Sequence, residues 1–287
     1  MSEEPVGARG STRAVGVIGW PVQHSLSPAI HNAAFAALEL DWVYVALPVP
    51  PGSLAEALAG LPALGFVGAN VTMPHKTESA ELIADLSEDA SRLRAVNTIV
   101  VGPGGLAGHN TDVPGFDRFL RGDAGFDPTD RSALVFGAGG AARACALALA
   151  RGGATSIVVA ARDATRAADV VSAVEGFGAE VRAVGFGDAT GVAADLVVNA
   201  TPLGREGELL PLPALTPETL VVDLLYLPST TPLQQAARDV GASAFGGLGL
   251  LLHQAALSFE LWTGRPAPMS AMSAAALAEL ADGHLDA

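Results

Sequence analysis

Cysteine is almost absent from this chain: Cys145 is the only one in 287 residues. A single thiol excludes an internal disulfide framework and any cysteine-only metal cage, and it points to a reducing compartment. Basic residues are scarce too, 16 Lys and Arg against 30 Asp and Glu, for a formal charge of −14. That balance excludes nucleic acid or an anionic membrane as the main partner. Small anions would have to be bound by a few local groups working against the global field. Nor is there a long apolar run. The most lipophilic stretch, Gly247 to Trp262, is broken by His253, Gln254 and Glu260, so it reads as a buried helix rather than a span of roughly 20 apolar residues. Residues 1–12 are polar and acidic and are expected to form a disordered tail rather than a signal peptide. A soluble cytoplasmic protein follows as the expectation.

What is present is a globular composition. Half of the residues are apolar, 16% are charged and 33 are Gly, which excludes disorder and collagen-like repeats. At roughly 150 residues per domain the length predicts two domains. Short β-rich runs alternate with helical ones: Ala14–Gly19, Trp42–Leu47, Gly68–Thr72 and Ala95–Val101 read as strands. Pro28–Leu40 reads as a helix with Ser27 as its N-cap. The polar stretch Arg121–Arg131 reads as a crossing between domains. A second alternating series begins at Ala133–Phe136 and runs to Ala242–Phe245, and two Ala/Leu-rich helices close the chain. Strands alternating with helices imply parallel sheets of βαβ units, an α/β fold in both halves.

The strand Ala133–Phe136 runs straight into Gly137, Ala138, Gly139, Gly140, Ala141 and Ala142, and a helix follows. This matches the dinucleotide fingerprint in its strand–turn–helix context. Gly137 makes the tight turn, Gly139 lets the backbone approach a pyrophosphate, and the helix N-terminus supplies N–H donors and partial positive charge. After the next strand stand Ala161, Arg162, Asp163 and Arg166. Two arginines four apart can face one 2′-phosphate, which favours NADP. Asp163 is a feature of NAD sites, and two solvated arginines are the plain alternative.

Polar residues also gather at strand ends in the first half. Ser25 and Ser27, two apart before a helix, can both point at one carboxylate, or can merely cap and turn. Asn70-Val-Thr72-Met-Pro-His75-Lys76 ends a strand with a lysine, and Asn97 and Asp112 follow similar runs. His24, His31, His75 and His109 flank these segments without zinc-like spacing, so no metal is expected.

The ordered set HSLSP, NVTMPHK, AVNT, GHNTD, GAGGA, NATPLG, DLLYLPSTTPL and GGLGLLLHQAALSFELWTG resembles the shikimate dehydrogenase family over nearly the whole chain. The resemblance implies an N-terminal α/β substrate domain plus a Rossmann-like NADP-binding domain, with C-terminal helices returning to the first. The boundaries expected are 13–112 with 248–287 for the first domain and 113–247 for the second. It implies reversible NADP-dependent reduction of 3-dehydroshikimate to shikimate by a monomer or homodimer. Carried over residue by residue, Lys76 and Asp112 form the acid–base pair. Ser25, Ser27 and Tyr226 hold the substrate carboxylate, and Thr72, Asn97, Asp112 and Gln254 its ring hydroxyls. Gly137–Ala141 take the pyrophosphate, and Ala161, Arg162 and Arg166 the adenosine phosphate. Thr201 passes under the cofactor, Leu224 and Gly247 lie near the nicotinamide, and Glu88 is a weaker carry-over. Two residues depart from the family's usual wording: Asp163 would repel a 2′-phosphate, and Leu250 stands where Met is frequent. An NAD-using quinate/shikimate or aminoshikimate dehydrogenase is therefore the alternative. A catalytically silent dinucleotide sensor is the third reading, disfavoured by the pairing of Lys76 with Asp112.

Overall fold

The computed structural model of the chain describes residues 9–282. These form two compact units: one runs to Thr111 and resumes at Ala255, and the other is Asp112–Gln254. Residues 1–8 of the expected tail lie outside the described residues; Ser11 and Thr12 are tied down, each donating a hydroxyl proton to Asp41.

The first unit is built on β1 (Arg13–Gly19), α1 (Ser27–Ala37), β2 (Trp42–Pro48), α2 (Leu54–Ala63) and β3 (Phe66–Val71), then α3 (Lys76–Leu82), the two-residue β4 (Asp85–Leu86), α4 (Glu88–Leu93), β5 (Thr98–Gly102) and β6 (Gly105–His109). Its sheet runs β2-β1-β3-β5-β6-β4. Buried Val15, Val17, Ile18, Ala69 and Val71 fill β1 and β3, as the β-branched runs predict for a central parallel pair. The expectation of parallel sheets needs a correction here, because β5 is antiparallel to both β3 and β6. Gly102 pairs with Gly105 across a two-residue Pro103–Gly104 loop, and strands joined by so short a loop can only run antiparallel. Ser27 is likewise not the N-cap of α1. It is the first helical residue, and its N–H is accepted by the Ser25 hydroxyl at 3.2 Å.

The second unit carries α5 (Asp112–Gly122), β7 (Ser132–Phe136), α6 (Gly140–Arg151), β8 (Ser156–Ala161), α7 (Ala164–Ala173), β9 (Glu180–Gly185), β10 (Leu196–Asn199), β11 (Leu220–Asp223), α8 (Pro232–Asp239) and β12 (Ser243–Phe245). All its strand pairs are parallel, in the order β12-β11-β10-β7-β8-β9. This is the doubly wound order whose strand sequence reverses between β7 and β10, the place where such sheets bind ligands. The stretch Arg121–Arg131 lies inside this unit and is no crossing. Arg121 binds Asp117 and Asp127, and Thr129 binds Asp127 and the Gly152 carbonyl, so its polar groups find partners at home.

Two helices close the chain, α9 (Leu248–Thr263) and α10 (Met269–Ala281), and the divide between units falls within α9. From Ala255 onward this segment completes the first unit's core. Phe259 stacks on Phe35, the Trp262 indole donates to the Ile99 carbonyl at 2.9 Å, and α10 packs on α1. Among the described residues no helix is long and apolar enough to cross a membrane.

Candidate active site

In the first unit, the functional side chains stand where strands end. The pairing of Asn70 with Thr98, and of Thr98 with His109, brings the exit of β3, the entry of β5 and the exit of β6 to one edge of the sheet. Thr72 follows β3, with its N–H bonded to the Ile18 carbonyl at 2.9 Å and its own carbonyl accepting His75 N–H at 3.0 Å. His75, buried, donates Nε2–H to the Val49 carbonyl at 2.7 Å. Lys76 opens α3, half-buried, with its carbonyl held by Val96 N–H at 2.9 Å. The lysine backbone is thus pinned from both sides.

Asn97, also buried, faces Thr111. Its Oδ1 accepts Thr111 N–H at 2.7 Å and its Nδ2 donates to Thr111 Oγ1 at 3.0 Å. The Ser27 hydroxyl bonds to the Tyr44 phenol, which donates to Asn70 Oδ1 at 2.7 Å. Tyr44 is enclosed, and burial pushes its phenol pKa well above the usual value. Glu88 is also in this unit, exposed in the first turn of α4, where a carboxylate complements the helix dipole.

In the second unit the expected residues collect at the C-terminal ends of β7, β8, β10 and β11. Gly137 has φ +117°, and a Cβ there would come within 2.9 Å of the Ala200 carbonyl, so this turn requires glycine. Gly139 N-caps α6, and a Cβ placed on it would meet nothing within 4 Å: the backbone borders open space, as approach to a pyrophosphate needs. Ala138, Gly140 and Ala141 are half-exposed around it, and Ala142 is buried against the sheet. Ala161 ends β8 buried, and Arg162, Asp163 and Arg166 follow it exposed. Twelve residues of α6 aligned behind open N–H donors, with two guanidinium groups one strand away, form a donor set that fits a phosphorylated dinucleotide.

Thr201 donates its hydroxyl to Asn199 Oδ1 at 2.7 Å and accepts Leu203 N–H at 3.1 Å. Leu224 N–H bonds the Asn199 carbonyl at 2.9 Å, and Gly247 N–H the Leu225 carbonyl at 3.0 Å. A Cβ on Gly247 would collide with the Leu224 carbonyl. The two residues expected at the nicotinamide are therefore neighbours. Tyr226 stands two residues further on, its phenol pushed up by burial and partly drawn back by Arg205. Asp112 opens α5, buried, and Gln254 donates its amide to the Leu251 carbonyl at 2.8 Å. No group of three or more His, Cys, Asp or Glu among the described residues can hold a metal.

Sequence reasoning passed over Tyr44 and Ser258 in one unit and Asp223 in the other, and it noted Asn70, Thr98 and Thr111 as strand-end polar residues without giving them a role. Each is a polar residue that is buried beside a motif. A polar side chain interrupting a strand-end apolar run was the available signal.

Comparison with known proteins adds the following. Residues 17–99 match the profile of the shikimate dehydrogenase substrate binding domain, and residues 247–277 that of the shikimate 5′-dehydrogenase C-terminal domain. The chain is 48% identical over 274 residues to the NADP(+) shikimate dehydrogenase of Moorella thermoacetica, covering 92% of each chain. It is also similar to the crystal structure of Thermus thermophilus shikimate 5-dehydrogenase in complex with NADP(H) and shikimate, with a TM-score of 0.83 and 38% identity over 93% of this chain and all of that one. A third likeness is to the Listeria monocytogenes enzyme in complex with shikimate and NAD, with a TM-score of 0.86 and 35% identity over 92% of this chain and 96% of that one.

Proposed function

The chain belongs to the shikimate dehydrogenase family, and from that premise we propose that it reduces 3-dehydroshikimate to shikimate, reversibly and with NADPH, in the cytoplasm. Gly137–Ala141 and the N-terminus of α6 would hold the pyrophosphate, and Arg162 and Arg166 the 2′-phosphate. Leu224 and Gly247 would lie near the nicotinamide, and Thr201 would pass under the cofactor. Bound NADPH supplies the hydride. Lys76 gives a proton to the oxygen that becomes the new hydroxyl, and in the oxidative direction takes it back. Asp112 is the second member of that acid–base pair and, with Thr72, Asn97 and Gln254, binds ring hydroxyls. Ser25, Ser27 and Tyr226 bind the carboxylate. Only single residues and one helix end neutralise anions in this scheme, as a chain of charge −14 demands.

Near-full-length identity to NADP(+)-dependent relatives carries this reading. Steady-state oxidation of NADPH with 3-dehydroshikimate tests it, and absence of turnover would overturn it. A second reading rests on Asp163, an exposed carboxylate beside Arg162 that disfavours a 2′-phosphate and suits a ribose hydroxyl. Under it the chain uses NAD with shikimate or quinate. The ratio of kcat/KM for NADP and NAD, measured with both acids, separates the two.

A further inference from the structure

Helices α5 and α9 carry two of the expected substrate residues, Asp112 and Gln254, and they meet glycine against bulk in both directions. A Cβ placed on Gly115 of α5 would lie 2.9 Å from Gln254 N and 3.0 Å from its Cα and Cβ. The obstacle is the α9 backbone and the root of a side chain, not a flexible end that could swing away. In the reverse direction, a Cβ placed on Gly249 of α9 would strike the ring edge of Phe119 on α5. That ring is 2% exposed and sits against Phe116 and Phe245, at centroid distances of 6.3 and 5.9 Å, so it has little room to retreat. The separation of packed helices follows the side chains at their contact, and here two missing ones set it.

A third contact lies one turn further on. Asp123 continues α5, its N–H bonded to the Phe119 carbonyl at 2.9 Å, and its carboxylate accepts His253 Nε2–H at 3.0 Å. Gly115, Phe119 and Asp123 are spaced four apart, so one face of α5 seats α9 at three points. Asp112 stands three residues before Gly115, on the same side of the helix. The Gln254 backbone is thereby registered to the turn that opens on Asp112.

We propose that Gly115 and Gly249 are positioning residues for the substrate: by admitting α9 this close to α5, they set where Gln254 stands relative to Asp112, and with it the grip on the ring hydroxyls. The proposal rests on the reading of Asp112 and Gln254 as substrate-binding residues. A methyl at either glycine moves Gln254 as a whole, backbone and side chain together.

The test is a cycle of Gly115→Ala and Gln254→Ala, with Gly122→Ala as the reference. Gly122 ends the same helix, exposed, and a Cβ there would meet nothing within 4 Å, so that variant should keep the parent KM for shikimate. Gly115→Ala should raise this KM roughly tenfold, the scale of one lost hydrogen bond, with KM for NADP within twofold. Gln254→Ala keeps the crowded backbone and Cβ but removes the amide, and should raise it by a similar factor. Because Gly115 acts through Gln254, the double variant should exceed Gln254→Ala by less than about threefold. The proposal is overturned if Gly115→Ala keeps shikimate KM within twofold while only Tm falls, if KM for NADP rises equally, or if the double variant exceeds Gln254→Ala by more than that margin. Should Gly115→Ala fail to fold, Gly249→Ala goes through the same cycle and decides on shikimate KM. Failure of the wild-type itself to turn over shikimate would instead sink the functional reading.

Discussion

The Asn199 amide donates to the Asp223 carboxylate across 3.0 Å, with both side chains wholly shielded from solvent. Asp223 also accepts Leu225 N–H at 3.1 Å and the Thr231 hydroxyl at 2.7 Å. Asn199 in turn receives Thr201. One buried carboxylate thus ties together the ends of β10 and β11 and the start of α8.

Asp223→Ala would leave three buried donors without an acceptor and should cost about 2–4 kcal/mol in denaturant unfolding. Asp223→Asn should behave differently, because its oxygen can keep Asn199 and Leu225 while its nitrogen donates to Thr231. Burial pushes the Asp223 carboxyl pKa up, and the bonds it accepts only partly offset this. A carboxyl raised in the folded state favours folding only while protonated. That contribution is present below the unfolded carboxylate value and is lost as pH rises through the folded one. Asp223→Asn should therefore be at least as stable as the parent at neutral pH, with its relative advantage vanishing below pH of about 4. Urea midpoints against pH check this, and an advantage that grew toward acid would contradict it.

His75 holds the segment before Lys76 through Val49. His75→Phe fills the space but leaves the half-buried Val49 carbonyl unbonded and frees the first turn of α3. Small misplacement of a catalytic group costs up to about 10²-fold, so kcat should fall by roughly tenfold or more with shikimate KM little changed. His75→Gln, which can donate to the same carbonyl, should recover most of the loss. Equal kcat in all three proteins would show that His75 does not position the lysine.

The ring of His31 stacks on Tyr44 at a centroid distance of 4.4 Å and leans on Trp262 at 5.3 Å, with neither nitrogen hydrogen-bonded. Burial pulls its pKa down to about 3, so it stays neutral throughout the working range. An unbonded buried N–H costs about 1–3 kcal/mol. His31→Phe keeps the stack and removes that cost, so thermal unfolding should shift upward by about 3 °C. A lower Tm would mean that the ring nitrogens are satisfied.

Gly247→Ala forces a methyl into the Leu224 carbonyl. The loop must shift where the nicotinamide is proposed to lie, and Kd for NADPH, read by cofactor fluorescence, should rise by roughly tenfold, the equivalent of ~1.4 kcal/mol. A folded variant with unchanged Kd would move the cofactor away from Leu224.

Much of the architecture was legible because it is written in local signals. Ala133–Phe136 followed by glycines and an alanine-rich helix can be read from spacing alone, and β7, its turn and α6 stand there. The β5–β6 reversal was hidden because Gly105-Leu-Ala-Gly-His109 holds no β-branched or aromatic strand former and did not read as a strand. Ser27 looked like a cap since Ser before Pro usually is one, yet the hydroxyl that takes the orphan N–H belongs to Ser25. The buried layer was less legible still. Ser258 looks like any small residue in an apolar helix, and it meets Asn70, Thr98 and Thr111 from at least 147 positions away. Periodicity assigns a residue to a face; it says nothing about which distant groups share that face.

The hairpin of β5 and β6 has one end beneath Asn97 and Thr111 and the other at an exposed two-residue loop. Its length is consequently free while its parity is not. Adding one residue to each arm moves the loop outward and leaves the site untouched, but an unmatched residue in one arm turns every side chain beyond it to the opposite face. Insertions at Pro103–Gly104 should be tolerated on those terms, which makes this hairpin a place to graft sequence without disturbing the chemistry.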